Sequence, residues 1–317
     1  MTTCSMDALA TAEPLAGTAP FASAWIIIEQ PGSWGRAALD NNRLGPAITQ
    51  HLSTAKAHGV GVLLARHPDR PTRDRNCERN IWVARSAAGG HLLRHAILDS
   101  LDDILQWDLA AIGTGQLPAI GTIDAAPTVF VCTHSRRDRC CAIEGRALIT
   151  NLLDDAVDRE RIWECSHVGG HRFAPVVLTL PSGSVHGRLD IAQAREVVRL
   201  STTREVVVDR LRGQSALVAP FQVAAIEVMR LIGETRADQV DVLRLIGGRA
   251  VPMPPGNDLD HAITEVVAEV RHRDGRAWRA SLKQASLERL RLESCEKTAV
   301  HGTTWECVEL SAATDWA

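Results

Sequence analysis

The sequence Cys132-Thr-His-Ser-Arg-Arg-Asp-Arg-Cys-Cys141 and the later sequence Cys165-Ser-His-Val-Gly-Gly-His-Arg-Phe-Ala174 organise the chain. The first follows an apolar β-branched run typical of a strand and precedes apolar residues at helical spacing, so its cysteines are expected in a strand-to-helix loop. The second begins where a short predicted strand ends, and two glycines between its histidines allow a tight turn. Both clusters are therefore predicted to lie in loops.

Thiolates and imidazoles that converge on one point suit zinc, copper or iron, because these ions prefer sulfur and nitrogen to hard oxygen donors. Zinc would take two cysteines and two histidines in a tetrahedron, and two histidines separated by three residues occur in zinc sites. A 2Fe-2S cluster with two cysteines on one iron and two histidines on the other is the chemical rival. The spacing alone leaves both possibilities open.

The two clusters, with Leu180-Pro-Ser-Gly-Ser-Val-His-Gly-Arg-Leu189 behind them, resemble the sucrase/ferredoxin-like family. The sequences Trp25-Ile-Ile-Ile-Glu-Gln-Pro-Gly-Ser-Trp-Gly35 and Pro220-Phe-Gln-Val-Ala-Ala-Ile-Glu227 extend the resemblance over most of the chain. The family is similar to thioredoxin-fold ferredoxins, so the resemblance implies a 2Fe-2S cluster with two histidines on one iron. The ligands that it implies are Cys132, Cys141, His167 and His171.

Other residues of the two loops stay open as ligands or as packing residues. Cys140 is the alternative to its neighbour as the second cysteine ligand, and His134 is an alternative because a Cys-Thr-His sequence imitates half of a Rieske pattern. Cys165 is predicted to be a buried core residue, since alternation along a strand directs it away from the following histidine. Trp163 and Phe173 flank the histidine loop and are expected to pack over the site.

Charged residues near the clusters are candidate partners of a bound metal. Arg137 and Asp138 lie inside the cysteine loop, where donors directed at cluster sulfurs would stabilise the reduced state. A solvated loop rim is the alternative for these residues. Arg172 follows the second histidine and could anchor its loop through a carboxylate, Asp138 being one candidate.

Composition narrows the class of protein. The 317 residues carry a formal net charge of -3 with both signs mixed throughout, which gives no electrostatic footprint for nucleic acid or an anionic membrane. No apolar run is long enough to span a bilayer, and the N-terminus lacks the pattern of a signal peptide, so a cytoplasmic location is expected. Eight cysteines without regular spacing indicate reduced thiols and a metal site rather than a disulfide framework.

The pattern of elements predicts an α/β protein with tandem thioredoxin-like domains. Residues 1–20 are expected to be a flexible leader, 21–122 a thioredoxin-like domain without a cluster, 123–199 a thioredoxin-like ferredoxin domain, and 200–317 a small α+β module. The order strand, helix, strand, hairpin, helix occurs twice before residue 200, although two unrelated open sheets could share it. Cys295 and Cys307 in the last module are predicted to be core residues.

These observations predict a cytoplasmic 2Fe-2S electron carrier whose partner is a reductase or another oxidoreductase. A zinc-stabilised binding module without a redox role is the alternative. Sucrose cleavage would need a paired acid and nucleophile carboxylate, and the sequence singles out no such pair. A thiol-redox enzyme that uses Cys140 and Cys141 lacks the Cys-x-x-Cys spacing.

Overall fold

The computed structural model describes residues 2–40, 42–69, 78–86, 90–123, 126–154, 159–246, 249–251 and 263–313. These residues form a mixed α/β protein with one sheet of ten strands and a second sheet of five strands. The predicted α/β class is therefore confirmed. Within the described ranges no helix has the length and apolar character needed to cross a membrane.

The secondary-structure elements follow one another along the chain in this order. The strands are β1 (Ala24–Glu29), β2 (Val60–Arg66), β3 (Arg79–Arg85), β4 (Leu92–Leu98), β5 (Thr122–Ile123), β6 (Thr128–Cys132), β7 (Ile162–Cys165), β8 (Val177–Leu180), β9 (Ser184–His186), β10 (Leu211–Gln214), β11 (Val240–Ile246), β12 (Arg249–Val251), β13 (Glu265–His272), β14 (Ala277–Leu292) and β15 (Ala299–Ala312). The α-helices are α1 (Cys4–Ala10), α2 (Pro46–Ser53), α3 (Leu109–Gly113), α4 (Arg146–Asp154), α5 (Ile191–Ser201) and α6 (Ala219–Ile232).

The large sheet consists of two halves with the same strand arrangement, in the order β10-β9-β8-β6-β7-β2-β1-β3-β4-β5. In the first half β1 is parallel to β2 and antiparallel to β3, and β3 pairs antiparallel with β4. In the second half β6, β7, β8 and β9 repeat these relations. The halves join where β2 and β7 pair antiparallel, with Ala65 opposite Cys165 and Arg66 opposite Glu164. The repeated element order predicted from the sequence is thus the order in the structure.

The central strands are buried on both faces, which explains their nearly continuous apolar sequences. In β6, Phe130 and Cys132 belong to a buried apolar cluster that includes residues of both halves, whereas Val129 and Val131 pack on the other face against α4. Side chains alternate along a strand, so the last residue of β6 points into the cluster that both halves share. The sulfur of Cys132 is therefore placed in the interior.

The N-terminal residues pack against the protein, which corrects the expectation of a flexible leader. Cys4 and Ala8 of α1 are fully buried, and the nearby Glu13 is buried between the guanidinium groups of Arg172 and Arg291. These contacts join residues far apart in the sequence. The composition of residues 1–20, rich in Ala, Thr and Pro and without periodicity, does not indicate such contacts. Tertiary packing of this kind stabilises helices too short to form alone.

The five-stranded sheet is antiparallel, in the order β12-β11-β13-β14-β15, and α6 lies in one apolar cluster with its buried face. Strands β13 and β14 form a hairpin around Asp274-Gly275, a residue pair that favours tight hairpin turns. The large sheet extends past residue 199, since β10 pairs with β9. The turn between β14 and β15 carries Cys295 back to the N-terminal helix, where the backbone N–H of Cys4 donates to its sulfur.

Candidate metal centre

Three of the four predicted ligands meet at the ends of β6 and β7. The sulfurs of Cys132 and Cys141 and a ring nitrogen of His167 all lie within 4.8 Å of one another. His167 Nδ1 is 3.9 Å from Cys132 Sγ and 4.0 Å from Cys141 Sγ. The ring of His171 lies beside that of His167, with 5.3 Å between the ring centroids. Each cysteine is 1% exposed, whereas both histidines are only partly buried.

The local backbone explains this convergence. Strands β6 and β7 are parallel with Cys132 opposite Cys165, so the loops that follow them leave the same edge of the sheet. A helical turn from Cys141 to Gly145 crosses the end of β6, and a Cβ at Gly145 would lie only 2.1 Å from the Cys132 carbonyl oxygen. Glycine at this position therefore allows the two cysteines to approach. In the histidine loop, Gly169 and Gly170 have φ values of +114° and +70°, which strongly favour glycine.

The two buried thiols differ in acidity because they share a hydrogen bond. The Cys141 thiol donates to Cys132, which holds the pKa of Cys132 well below its ordinary value, and His167 lowers it further against the opposing effect of burial. The same hydrogen bond raises the pKa of Cys141. The shared hydrogen bond therefore favours the thiolate form of Cys132, and a metal that binds both sulfurs must displace the proton of Cys141.

Asp138 contacts the second histidine of the pair. Its Oδ2 lies 3.3 Å from His171 Nδ1. Burial opposes ionisation of Asp138, but hydrogen bonds from the backbone N–H groups of Cys140 and Cys295 lower its pKa to about 2. Burial lowers the pKa of His171 to about 4, so its ring is neutral at pH 7. A carboxylate on one ring nitrogen orients the imidazole and leaves the other nitrogen for a metal.

His134, the alternative histidine ligand, uses both ring nitrogens in hydrogen bonds to the backbone. Its Nε2–H donates to the carbonyl of Gly35 at 2.6 Å, and its Nδ1 accepts from the backbone N–H of His167 at 3.0 Å. Burial lowers the pKa of His134, which keeps the ring in the neutral form that Nδ1 needs to accept. His134 therefore fixes the backbone of the histidine loop and has no ring nitrogen left for a metal.

The alternative cysteine and the charged residues of the loops occupy different places. Cys140 points away from Cys141, into a second group with Cys4, Cys295 and Asp138. The arginines of the cysteine loop are exposed; they are Arg136, Arg137 and Arg139. Arg172 bonds to Glu13 at 2.9 Å, and not to the carboxylate of Asp138 that the sequence suggested. Cys165 is fully buried in the shared apolar cluster with Trp163 and Phe173, as predicted.

A buried arginine that the sequence analysis missed supports the histidine loop. Arg212 of β10 donates to the carbonyl of Gly169 at 2.8 Å, to Thr18 Oγ1 at 3.0 Å and to the Thr18 carbonyl. Its guanidinium lies 4.9 Å from the ring centroid of Phe173. Burial lowers its pKa to about 9, so it stays charged at pH 7. A Cβ at Gly170 would lie 2.3 Å from Arg212 Nη2 and one at Gly187 would lie 2.9 Å from Arg212 Cδ, so glycine at these positions leaves room for the guanidinium group.

Replacement of Arg212 by methionine is expected to lower the free energy of unfolding by about 2–4 kcal/mol, because buried carbonyls of Gly169 and Thr18 lose their donors. Urea denaturation followed by circular dichroism would measure the change. Replacement of Arg136 is the control, since this exposed side chain is expected to contribute less than about 0.5 kcal/mol. Equal unfolding midpoints for the two variants would contradict the role of Arg212.

The carboxylates near the site all have structural partners. Glu164 accepts hydrogen bonds from Arg66 and from Thr133, and it ties the first half of the sheet to the cysteine loop. Asp190 caps α5 in a reciprocal arrangement with Gln193. Glu144 contacts the hydroxyl of Ser5, and burial raises the pKa of this carboxyl group to about 7.

The sequence model of one family, described as sucrase/ferredoxin-like, matches residues 15–213 of the chain. The match covers more than half of the sequence and includes both the cysteine loop and the histidine loop. The chain therefore belongs to the sucrase/ferredoxin-like family, as its motifs indicated. No curated protein and no solved structure matches the sequence significantly.

Proposed function

We propose that the chain is an electron-transfer protein that binds one 2Fe-2S cluster through Cys132, Cys141, His167 and His171. The convergence of two thiols and an imidazole at the ends of β6 and β7, within the range that matches the family, carries this proposal. Each half of the large sheet has its first strand between a parallel second strand and an antiparallel third. We therefore also propose that both halves are thioredoxin-like and that the second holds the cluster.

The arrangement of the donors fits a cluster in which two cysteines bind one iron and two histidines bind the other. Two thiols lie in the apolar interior, where the hydrogen bond between them lowers the pKa of Cys132, while the two imidazoles are only partly buried. The side chain of His171 is 12% exposed. When bound, the cluster would supply one-electron transfer at a potential raised by its neutral ligands, roughly -150 to +300 mV in centres with two histidines against about -400 mV in plant-type clusters.

The surrounding residues hold these donors in place. His134 fixes the backbone of His167, and Asp138 orients the ring of His171. The positive charge of Arg212 attracts negative charge on the cysteine pair, so it favours the loss of a proton from these thiols. Trp163 and Phe173 belong to the buried cluster that contains both cysteines and keep water from the sulfurs.

A single zinc ion is the second candidate, and the distances between the histidine nitrogen and the two cysteine sulfurs favour it. In a tetrahedral zinc site a sulfur and a nitrogen ligand lie about 3.6 Å apart, given bond lengths of about 2.3 and 2.05 Å. The separations of 3.9 and 4.0 Å between His167 Nδ1 and the two sulfurs are close to this value. A dinuclear cluster places the two ligand types on different irons, so it requires the histidine loop to lie further from the sulfurs.

We also propose a partner and a compartment, on the basis of the same site. His167 and His171 are its parts nearest to solvent, so we expect a redox partner protein, a reductase or another oxidoreductase, to dock beside them. The cytoplasm is the proposed location, because the described cysteines are free thiols and metal binding requires them reduced.

Purification without air, followed by metal and sulfide analysis and by visible and electron paramagnetic resonance spectra, tests the proposal. We expect coloured protein with about two irons and about two sulfides per chain, and a paramagnetic signal after reduction by one electron. Colourless protein without iron, holding zinc that is lost when Cys132 is replaced by serine, would contradict the cluster and favour the zinc module.

A further inference from the structure

A second group of metal-binding side chains lies beside the proposed iron site. The sulfurs of Cys4, Cys140 and Cys295 form a triangle with sides of 3.5, 3.3 and 3.6 Å. An oxygen of Asp138 completes the group, 3.7 Å from Cys4 Sγ, and all four ligand atoms lie within 4.8 Å of one another. The three cysteines come from the N-terminal helix, the cysteine loop and the turn between β14 and β15.

We propose that Cys4, Cys140, Cys295 and Asp138 bind one structural zinc ion. A tetrahedral zinc ion with bonds of about 2.3 Å to sulfur separates its sulfur ligands by about 3.8 Å. The observed triangle reaches that size if each side lengthens by a few tenths of an ångström. A disulfide joins only two sulfurs and would exclude the third, whereas one ion accounts for three sulfurs at nearly equal separations.

The groups around the triangle are those that orient zinc ligands. The backbone N–H of Cys4 donates to Cys295 Sγ at 3.4 Å, and Ser5 Oγ donates to Cys140 Sγ at 3.3 Å. Such donors stabilise thiolate ligands and fix their direction. Asp138 accepts from the backbone N–H of Cys140 at 2.9 Å and from that of Cys295 at 3.0 Å. The carboxylate therefore holds the cysteine loop and the turn between β14 and β15 together before any ion binds.

Burial indicates that the ion stabilises structure and does not take part in catalysis. Cys4 is fully buried, Cys140 is 1% exposed and Asp138 is 6% exposed. Four protein ligands leave no coordination position open for a substrate. The ion would join three parts of the chain that the sequence places more than a hundred residues apart. Zinc binding to such preformed ligands contributes directly to folding stability.

This site does not follow from membership of the family. The matched range, residues 15–213, contains Cys140 and Asp138 but neither Cys4 nor Cys295. Half of the ligands therefore lie outside the sequence that defines the family. The site uses different cysteines from the proposed iron site, because Cys140 and Cys141 are directed into different groups. The two groups are neighbours, since Asp138 Oδ2 lies 3.3 Å and Cys4 Sγ lies 3.4 Å from His171 Nδ1.

Zinc analysis of the anaerobically purified full chain and of its Cys295→Ser variant tests the site. We expect about one zinc per chain in the wild type, at least a tenfold loss of zinc in the variant and unchanged iron, because Cys295 contacts none of the proposed iron ligands. The control is Cys307→Ser, which replaces another partly buried thiol outside the group and should retain zinc.

Alkylation of the wild type followed by mass spectrometry gives a second readout that does not depend on the folding of a variant. With zinc bound, the partly buried Cys295 should resist alkylation while Cys307 reacts, and a strong chelator should make Cys295 reactive. The proposal is overturned if the reduced wild type takes up no zinc from zinc chloride, if Cys295→Ser retains it, or if the mass shows a disulfide among the three cysteines.

Discussion

Replacement of Cys141 by serine is expected to abolish iron binding, whereas the same replacement of its neighbour Cys140 should leave the iron content unchanged. The Cys141 sulfur lies with Cys132 and His167, while the Cys140 sulfur lies with Cys4 and Cys295. A serine hydroxyl is a poor substitute for a thiolate, because iron-sulfur clusters depend on thiolate ligands. Two adjacent residues of one type are thus expected to give opposite results.

Iron and sulfide should fall from about two of each per chain to less than a tenth of that in Cys141→Ser, with loss of visible absorption. In Cys140→Ser both should match the wild type within error, while zinc is lost. Circular dichroism of both variants would check that each is folded. Equal iron loss in the two variants, or iron loss only in Cys140→Ser, would show that the ligand assignment is incorrect.

The ligand loops were predictable because their signals are local. The apolar run that ends at Cys132 predicts a strand, and the helical spacing after Cys141 predicts a helix, so a loop is expected between them. The glycines between His167 and His171 predict a turn. The parallel pairing of β6 and β7 then brings the loops to one edge of the sheet. The direction of the Cys140 side chain was not predictable, since it depends on how the chain enters the helical turn at Cys141.

The parts that the sequence did not predict depend on contacts between distant residues. Cys4, predicted in the leader, and Cys295, predicted in the core, are in contact although 291 positions separate them in the sequence. The periodicity of a sequence does not predict such a contact. Arg212 is buried between the histidine loop and Thr18, although arginines are nearly always expected at the surface. A single sequence carries local preferences, whereas these residues are placed by the packing of elements that form far apart along the chain.

Replacement of Gly145 by alanine is expected both to destabilise the protein by about 3 kcal/mol and to remove the metal site, since overpacking a tight contact costs this much in free energy of unfolding. An added Cβ would lie 2.1 Å from the Cys132 carbonyl oxygen, so the helical turn must move away from β6. Cys141 begins that turn, and its sulfur would move away from that of Cys132.

Gly113, the last residue of α3, offers a matched control outside the two loops. A Cβ there would lie 1.9 Å from the carbonyl oxygen of His58, an equally severe overlap far along the chain from the two loops. We expect Gly113→Ala to lose similar stability but to keep its iron, and Gly145→Ala to lose both. Urea denaturation and iron analysis of the two variants separate these effects. If Gly145→Ala retained full iron, the close approach of the turn to β6 would not be what holds the two cysteines together.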